Sequence, residues 1–220
     1  MILSRGRRYI FVHIPKTGGT ALALALEARA KADDILIGDT PKAVRRRGRL
    51  NEVQTAGRLW KHATLADIEG LVTRDELEDF LIFTLVRNPW DRMVSYYHWL
   101  KAQGFDHPAV ALARDLSFAD FVRHPQTVAA FKANPNGSYL RDGSGVERAG
   151  HFVRIERFEQ DFAPVAAHLG FDLVLDRVNV SARARDWRGY YDADLAAHVG
   201  DICAEDVARF GYRFEEGAHG

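Results

Sequence analysis

Two segments of this chain pass from a short apolar run directly into a polar loop and then into a helical pattern. That repeated strand–loop–helix order confines the fold to the α/β class. The first is Tyr9-Ile10-Phe11-Val12-His13-Ile14, then Pro15-Lys16-Thr17-Gly18-Gly19-Thr20, then Ala21-Leu22-Ala23-Leu24-Ala25-Leu26-Glu27. The second is Phe80-Leu81-Ile82-Phe83-Thr84-Leu85-Val86, then Arg87-Asn88-Pro89-Trp90 and a helical stretch over 89–103. Continuous runs of β-branched and aromatic residues mark strands buried on both faces, as parallel strands are. Asn88 is suited to cap a helix and Pro89 to occupy its first position. Strands alternating with helices predict a central parallel sheet with helices on both faces.

The first loop has the chemistry of an anion cradle. Gly18 and Gly19 let the backbone approach a ligand closely, and the first-turn N–H groups of a helix lack intrahelical partners and carry the positive end of its dipole. Lys16 adds a mobile charge. The loop is not a Walker A motif, which requires Gly-Lys-Ser/Thr; no Gly-Lys dipeptide occurs in the 220 residues. At the end of the second strand, Arg87 and Ser95 are placed to hold a phosphate monoester, the guanidinium by paired charge-assisted bonds and the hydroxyl by one more. A cation at that strand end repels Mg²⁺, where a P-loop phosphotransferase needs an acidic residue. A nucleotide kinase is therefore disfavoured.

Pro15-Lys16-Thr17-Gly18-Gly19-Thr20 after a strand resembles the 5′-phosphosulfate loop of the sulfotransferases. An Arg at a strand end with a Ser eight residues later, here Arg87 and Ser95, resembles their 3′-phosphate motif. Lys61-His62-Ala63-Thr64, Val178-Asn179-Val180-Ser181, Tyr190-Tyr191, Asp206 and Phe210-Gly211-Tyr212-Arg213-Phe214 are similar to the carbohydrate, or Golgi-type, branch with its short bacterial members. The resemblance runs from residue 9 to residue 214. It implies a P-loop-like three-layer α/β/α fold and a single sulfotransferase domain over 1–220, with the 5′-phosphosulfate loop at 14–20 and the 3′-phosphate motif at 87–95. The donor it implies is 3′-phosphoadenosine 5′-phosphosulfate (PAPS), with 3′-phosphoadenosine 5′-phosphate (PAP) as product and no metal. The acceptor expected is a carbohydrate hydroxyl. The alternative is a nucleotide-binding protein of P-loop-like fold without transferase activity.

Sulfuryl transfer needs positive charge and donors at the leaving phosphate, which Lys16, Thr17 and the backbone of residues 18–20 can supply. It also needs a base for the acceptor hydroxyl. His62 is the candidate: an imidazole has a suitable pKa, and relatives place their base on the loop after the first helix. The alternative is a solvated histidine at a helix start. His98, one turn beyond Ser95, ranks below it, and His13 reads as a structural histidine. Asn179 and Ser181 are candidates to lie beside the nucleotide, an ordinary turn being the alternative.

The remaining composition sets limits. Thirty Lys and Arg balance thirty Asp and Glu, so no overall basic field exists for nucleic acid. Two basic runs, Lys42 to Arg49 and Arg183 to Arg188, would suit an anionic acceptor, a solvated face being the alternative. Trp90, Trp99 and Tyr96 are considered for sugar stacking, though aromatics at helical spacing usually belong to a core. One cysteine, Cys203, leaves no internal disulfide. No Cys-x-x-Cys or His-x-x-x-His pair offers metal ligands. The sequence shows neither an apolar run of membrane-spanning length nor a signal core, so a cytoplasmic location is expected. Further expectations are a helix over 64–72 with a near capping box at Thr64 and Asp67, a mobile loop over 134–150, and helices over 159–169 and 192–209.

Overall fold

The computed structural model describes residues 1–148, 150–175 and 186–215. Its strands are β1 (Ile2–Ser4), β2 (Tyr9–Val12), β3 (Ile35–Leu36), β4 (Leu81–Val86) and β5 (His151–Arg154). Its helices are α1 (Gly19–Ala28), α2 (Pro41–Arg46), α3 (Arg74–Asp79), α4 (Pro89–Lys101), α5 (Pro108–Asp115), α6 (Phe118–Arg123), α7 (Pro125–Ala133), α8 (Phe158–Leu169), α9 (Ala193–Ile202) and α10 (Ala204–Phe210). Two compact units are formed, Met1–Val86 with Asn136–Val178, and Arg87–Pro135 with Asn179–Gly220. Among the described residues, no helix is long and apolar enough to cross a membrane.

The first unit holds a sheet in the order β3-β1-β2-β4-β5. β2, β4 and β5 run parallel, as the alternation of strands and helices predicts, with Val12 beside Thr84 and Val86 beside Arg154. β1 is an unexpected strand. It pairs antiparallel with β2 and β3, making the sheet mixed rather than wholly parallel. The strand expected over 9–15 ends at Val12, because the chain turns into the loop before Pro15, which has no N–H for a ladder.

Side chains alternate between two cores with the two-residue period of a strand. Ile2, Tyr9, Phe11, Phe83, Leu85 and Val153 face α1 and α8, where Leu22, Leu26, Phe162, Val165 and Leu169 meet them. Leu3, Ile10, Val12 and Ile82 face the other way, toward Ile14, Ala63, Leu65, Ile68 and Leu77. Each fully buried side chain of this kind contributes roughly 1.5–3 kcal/mol relative to exposure.

The second face is covered by α3 and by turns rather than by a helix over 64–72. Thr64 and Asp67 do exchange the hydrogen bonds of a capping box: Thr64 N and Oγ1 donate to Asp67 Oδ2, and Asp67 N donates to Thr64 Oγ1. No helix follows, because Gly70 takes φ +95° and turns the chain. The capping box that does start a helix is Thr73 with Glu76, at the head of α3. Residues 136–140 form a 3-10 turn, and Asp142 accepts bonds from Ser144, Val146 and Arg148.

In the second unit α4 presents Trp90, Met93, Val94, Tyr97 and Leu100 as one stripe. They pack against Val110, Phe121, Trp187, Leu195 and Val199. The helix expected over 192–209 is broken at Cys203 into α9 and α10.

Candidate functional site

The loop between β2 and α1 is built by packing that only glycine allows. A Cβ at Gly18 would lie 2.2 Å from Ile155 Cδ1, and one at Gly19 would lie 2.2 Å from His13 Cδ2. Gly18 also has φ +89°, a conformation favourable only to glycine. Lys16 adopts φ +66°, which costs a non-glycine residue about 1–2 kcal/mol. This strain is confined to the loop and lifts the Lys16 backbone out of the strand direction. Thr17 is fully buried, and its hydroxyl donates to Ile14 O at 2.9 Å. That bond commits the hydroxyl proton to closing the loop, so the Thr17 side chain acts as a brace.

α1 begins at Gly19 with no side-chain cap and no acidic residue in its first turn. Its positive end is thus uncompensated by its own sequence. With Lys16 beside it, the loop suits a phosphate group. The residues present therefore fit the 5′ end of a nucleotide.

His62 stands against this loop. Its Nδ1 lies 2.7 Å from the backbone oxygen of His13, three residues before Lys16. A carbonyl can only accept, so Nδ1 carries the proton and Nε2 keeps its lone pair in the neutral ring. The rings of His13 and His62 meet edge-to-face with centroids 4.7 Å apart, and Trp60 closes the other side of His62 at 5.1 Å. Burial pushes the His62 pKa down to about 4 and that of the more deeply buried His13 well below its usual range. His62 is therefore a positioned imidazole that is neutral at neutral pH, the state a proton acceptor requires. His13 is structural, as expected. Lys61, which precedes His62, is held by Asp39 at 2.6 Å.

In the second unit, Arg87 is the residue immediately after β4, a strand flanked in the sheet by β2 and β5. Asn88 caps α4 by accepting from Trp90 N at 3.1 Å, with Pro89 at the first position, as the sequence predicts. The Arg87 side chain is 18% exposed and places Nε and Nη2 at 2.8 and 2.6 Å from Asp91 Oδ2. Asp91 and Ser95 are four residues apart on α4 and so share one side of the helix, and Arg87, just before the cap, reaches Asp91. Ser95 is buried at 6% exposure. The guanidinium is thus oriented by a carboxylate that sequence reasoning did not single out. The Arg-x-x-x-Asp spacing at a helix start is the signal that could have found it.

Other expectations resolve into structural roles. Trp90 is 5% exposed and donates through Nε1 to Ala196 O, while Tyr96 and Trp99 pack beside the same core. His98 meets Tyr190 edge-on at 5.2 Å. Of the basic run, Lys42, Arg46, Arg47 and Arg49 donate to the carbonyls of Glu27, Lys31, Asp34, Gly38 and Ala32, which ties α2 and the turn after it to the preceding chain. Cys203 is a buried thiol pushed up to about 12. Asn179 and Ser181, with Arg183 and Arg185, lie outside the described residues. Among the described residues, no group of three or more His, Cys, Asp or Glu could hold a metal ion.

Comparison with known proteins follows the same lines. The sequence matches the profile of the sulfotransferase family over residues 1–209. No curated protein matches the chain. Among solved structures, the chain is similar to mouse sulfotransferase SULT7A1 complexed with PAP. The two share 18% sequence identity at a TM-score of 0.46, over 90% of this chain and 82% of that one. With the family profile spanning both units, and the loop, the Arg87 motif and His62 all inside it, the chain belongs to the sulfotransferase family, the transferases that take a sulfuryl group from PAPS.

Proposed function

We propose that this protein transfers the sulfuryl group of PAPS to a carbohydrate hydroxyl, with His62 as the base. Lys16 and the backbone N–H groups of Gly18, Gly19 and Thr20 hold the 5′-phosphate side, with Pro15 and Thr17 shaping the loop. Arg87 and Ser95 hold the 3′-phosphate, and Asn179 and Ser181 are assigned to the nucleotide by resemblance. Both units act as parts of one sulfotransferase domain, a reading supported by the extent of the family match. The bound nucleotide supplies a sulfuryl group on a phosphate leaving group.

The chain's own residues do the rest. Lys16 and the α1 N-terminus stabilise the negative charge that appears on the departing phosphate. His62 Nε2 takes the proton of the acceptor hydroxyl as that oxygen attacks. The His13 carbonyl steadies the imidazolium through Nδ1–H, so the ring need not reorient when it becomes charged.

The observation that carries this reading is the 2.7 Å bond from His62 Nδ1 to the carbonyl that opens the phosphate loop. It fixes the tautomer of His62 and its position beside the loop, and this supports the reading of His62 as the base. A protein that only binds a nucleotide has no task for such an imidazole. The test is single-turnover transfer of labelled sulfate from PAPS to a panel of glycans, comparing wild type with His62→Asn. Asn retains a donor for the His13 carbonyl and has no basic nitrogen. Loss of transfer with PAP binding intact supports the assignment; equal transfer by the variant refutes it.

A further inference from the structure

We propose that Trp60 is the acceptor platform of this enzyme, its indole face stacking on the C–H face of a pyranose ring whose hydroxyl reaches His62. The proposal rests on His62 as the base. Among the described residues, the exposed large apolar side chains are Val44, Trp60, Phe105, Val146 and Val174. A single exposed apolar residue is ordinarily unremarkable. Trp60 differs because of what it touches.

Four rings run outward from the sheet in series. Phe11, fully buried, stacks on His13 at 6.0 Å; His13 meets His62 at 4.7 Å; His62 meets Trp60 at 5.1 Å and 86°. Burial falls along the series until Trp60, which is 44% exposed. The first three rings are fixed by packing and by the bond to the His13 carbonyl. The exposed end of a rigid row is therefore an indole held in a set orientation against the base.

Geometry then limits what the acceptor can avoid. With the two ring centroids 5.1 Å apart, an acceptor whose hydroxyl reaches His62 can bring its own ring within reach of the indole. The indole offers such a ring an apolar face with a polar edge. Trp60 is exposed, and the chain on either side of it is charged. Arg58, two residues before it, is exposed, and Lys61, next in the chain, pairs with Asp39 at 2.6 Å with side chains 30% and 62% exposed. A flat aryl acceptor is better served by an enclosed apolar pocket. A sugar ring matches this setting, with an apolar C–H face for the indole and hydroxyls for the charged rim.

The test uses the PAP-loaded full chain and saturation-transfer NMR with methyl pyranosides of the gluco, galacto and 2-acetamido series. Sorbitol serves as an acyclic polyol and p-nitrophenol as an aryl control. Expected is saturation of ring C–H protons of a pyranoside by wild type, about tenfold weaker binding by Trp60→Ala, and near-wild-type binding by Trp60→Phe. Sorbitol gives no signal.

Equal pyranoside saturation by wild type and Trp60→Ala overturns the proposal. So does saturation of p-nitrophenol or sorbitol in preference to every pyranoside, and so does a panel in which no pyranoside is saturated. The melting shift caused by PAP, read on the same samples, separates the two readings. An absent shift in wild type condemns the nucleotide site itself. A shift retained in Trp60→Ala confines any loss to the acceptor side. If His62→Asn still transfers sulfate while Trp60→Ala loses the pyranoside, the base assignment falls and the platform stands.

Discussion

Replacing His62 by Asn should make the protein more resistant to acid while abolishing transfer. The reasoning is one of proton linkage. In the unfolded chain this imidazole titrates at its ordinary pKa of 6.5; in the folded chain desolvation lowers it to about 4. Between these values the unfolded state binds a proton that the folded state refuses, so stability falls as pH falls. The contribution is fully present above pH 6.5 and is lost progressively down to about pH 4. At 1.36 kcal/mol per pKa unit, the loss from His62 is roughly 3 kcal/mol. His13, shifted in the same direction by deeper burial, adds its own share and is present in both proteins. Urea unfolding of wild type and His62→Asn at intervals from pH 7.5 to 4 isolates the His62 share as the difference between the two curves. The account predicts curves that converge on acidification, or cross, with wild type losing roughly 3 kcal/mol more than the variant. The kcat/KM of wild type should also hold its plateau well below pH 6. Parallel stability curves, or an acid limb in kcat/KM near pH 6.5, would refute the reasoning that His62 is buried and neutral.

Three further outcomes are expected. Gly19→Ala drives a methyl group into a His13 ring packed against Phe11 and His62, and should cost roughly 1–3 kcal/mol in urea unfolding. Gly48→Ala, which meets nothing within 4 Å, should stay within about 0.5 kcal/mol of wild type; a similar loss at both positions contradicts the packing argument. Thr73→Ala removes one half of the capping box that starts α3 and should cost about 1 kcal/mol, with Thr64→Ala failing to reproduce a helix-start effect by hydrogen exchange of residues 74–79. Lys16→Ala should lower single-turnover transfer by about 10²–10³-fold with little change in melting temperature; unchanged transfer removes Lys16 from the leaving-group site.

The central strand pair was legible because β2 and β4 are apolar on both faces, and a strand buried on both sides leaves a continuous run. β1 was not, because Ile2-Leu3-Ser4 is too short for its periodicity to register and the 3-10 turn at Arg5–Arg7 that folds it back on β2 carries no plain turn signal beyond Gly6. Thr64 and Asp67 misled for a physical reason: their reciprocal hydrogen bonds are local and form with or without a helix behind them. What decides is Gly70, whose φ of +95° is invisible in a one-dimensional pattern. In the site, Lys16, Gly18, Gly19 and Arg87 were legible because anion binding draws on few residue types at fixed spacing. His62 could be named from its neighbours, but its tautomer could not, since the carbonyl that fixes it belongs to His13, distant in sequence. Trp60 escaped because aromatic residues were sought on α4, where helical spacing sends Trp90 into the core instead.

The central claim, a transferase site for a 3′-phosphorylated nucleotide, is tested most directly by thermal unfolding with PAP and with ADP, each with and without Mg²⁺, on wild type, Arg87→Ala and Lys16→Ala. A ligand at one hundred times its Kd stabilises the fold by about 2.7 kcal/mol, a readily measured shift in Tm. The account predicts a shift for PAP that needs no Mg²⁺, exceeds that for ADP, and is lost in Arg87→Ala. Equal shifts for PAP and ADP, or a PAP shift that survives Arg87→Ala, would contradict it.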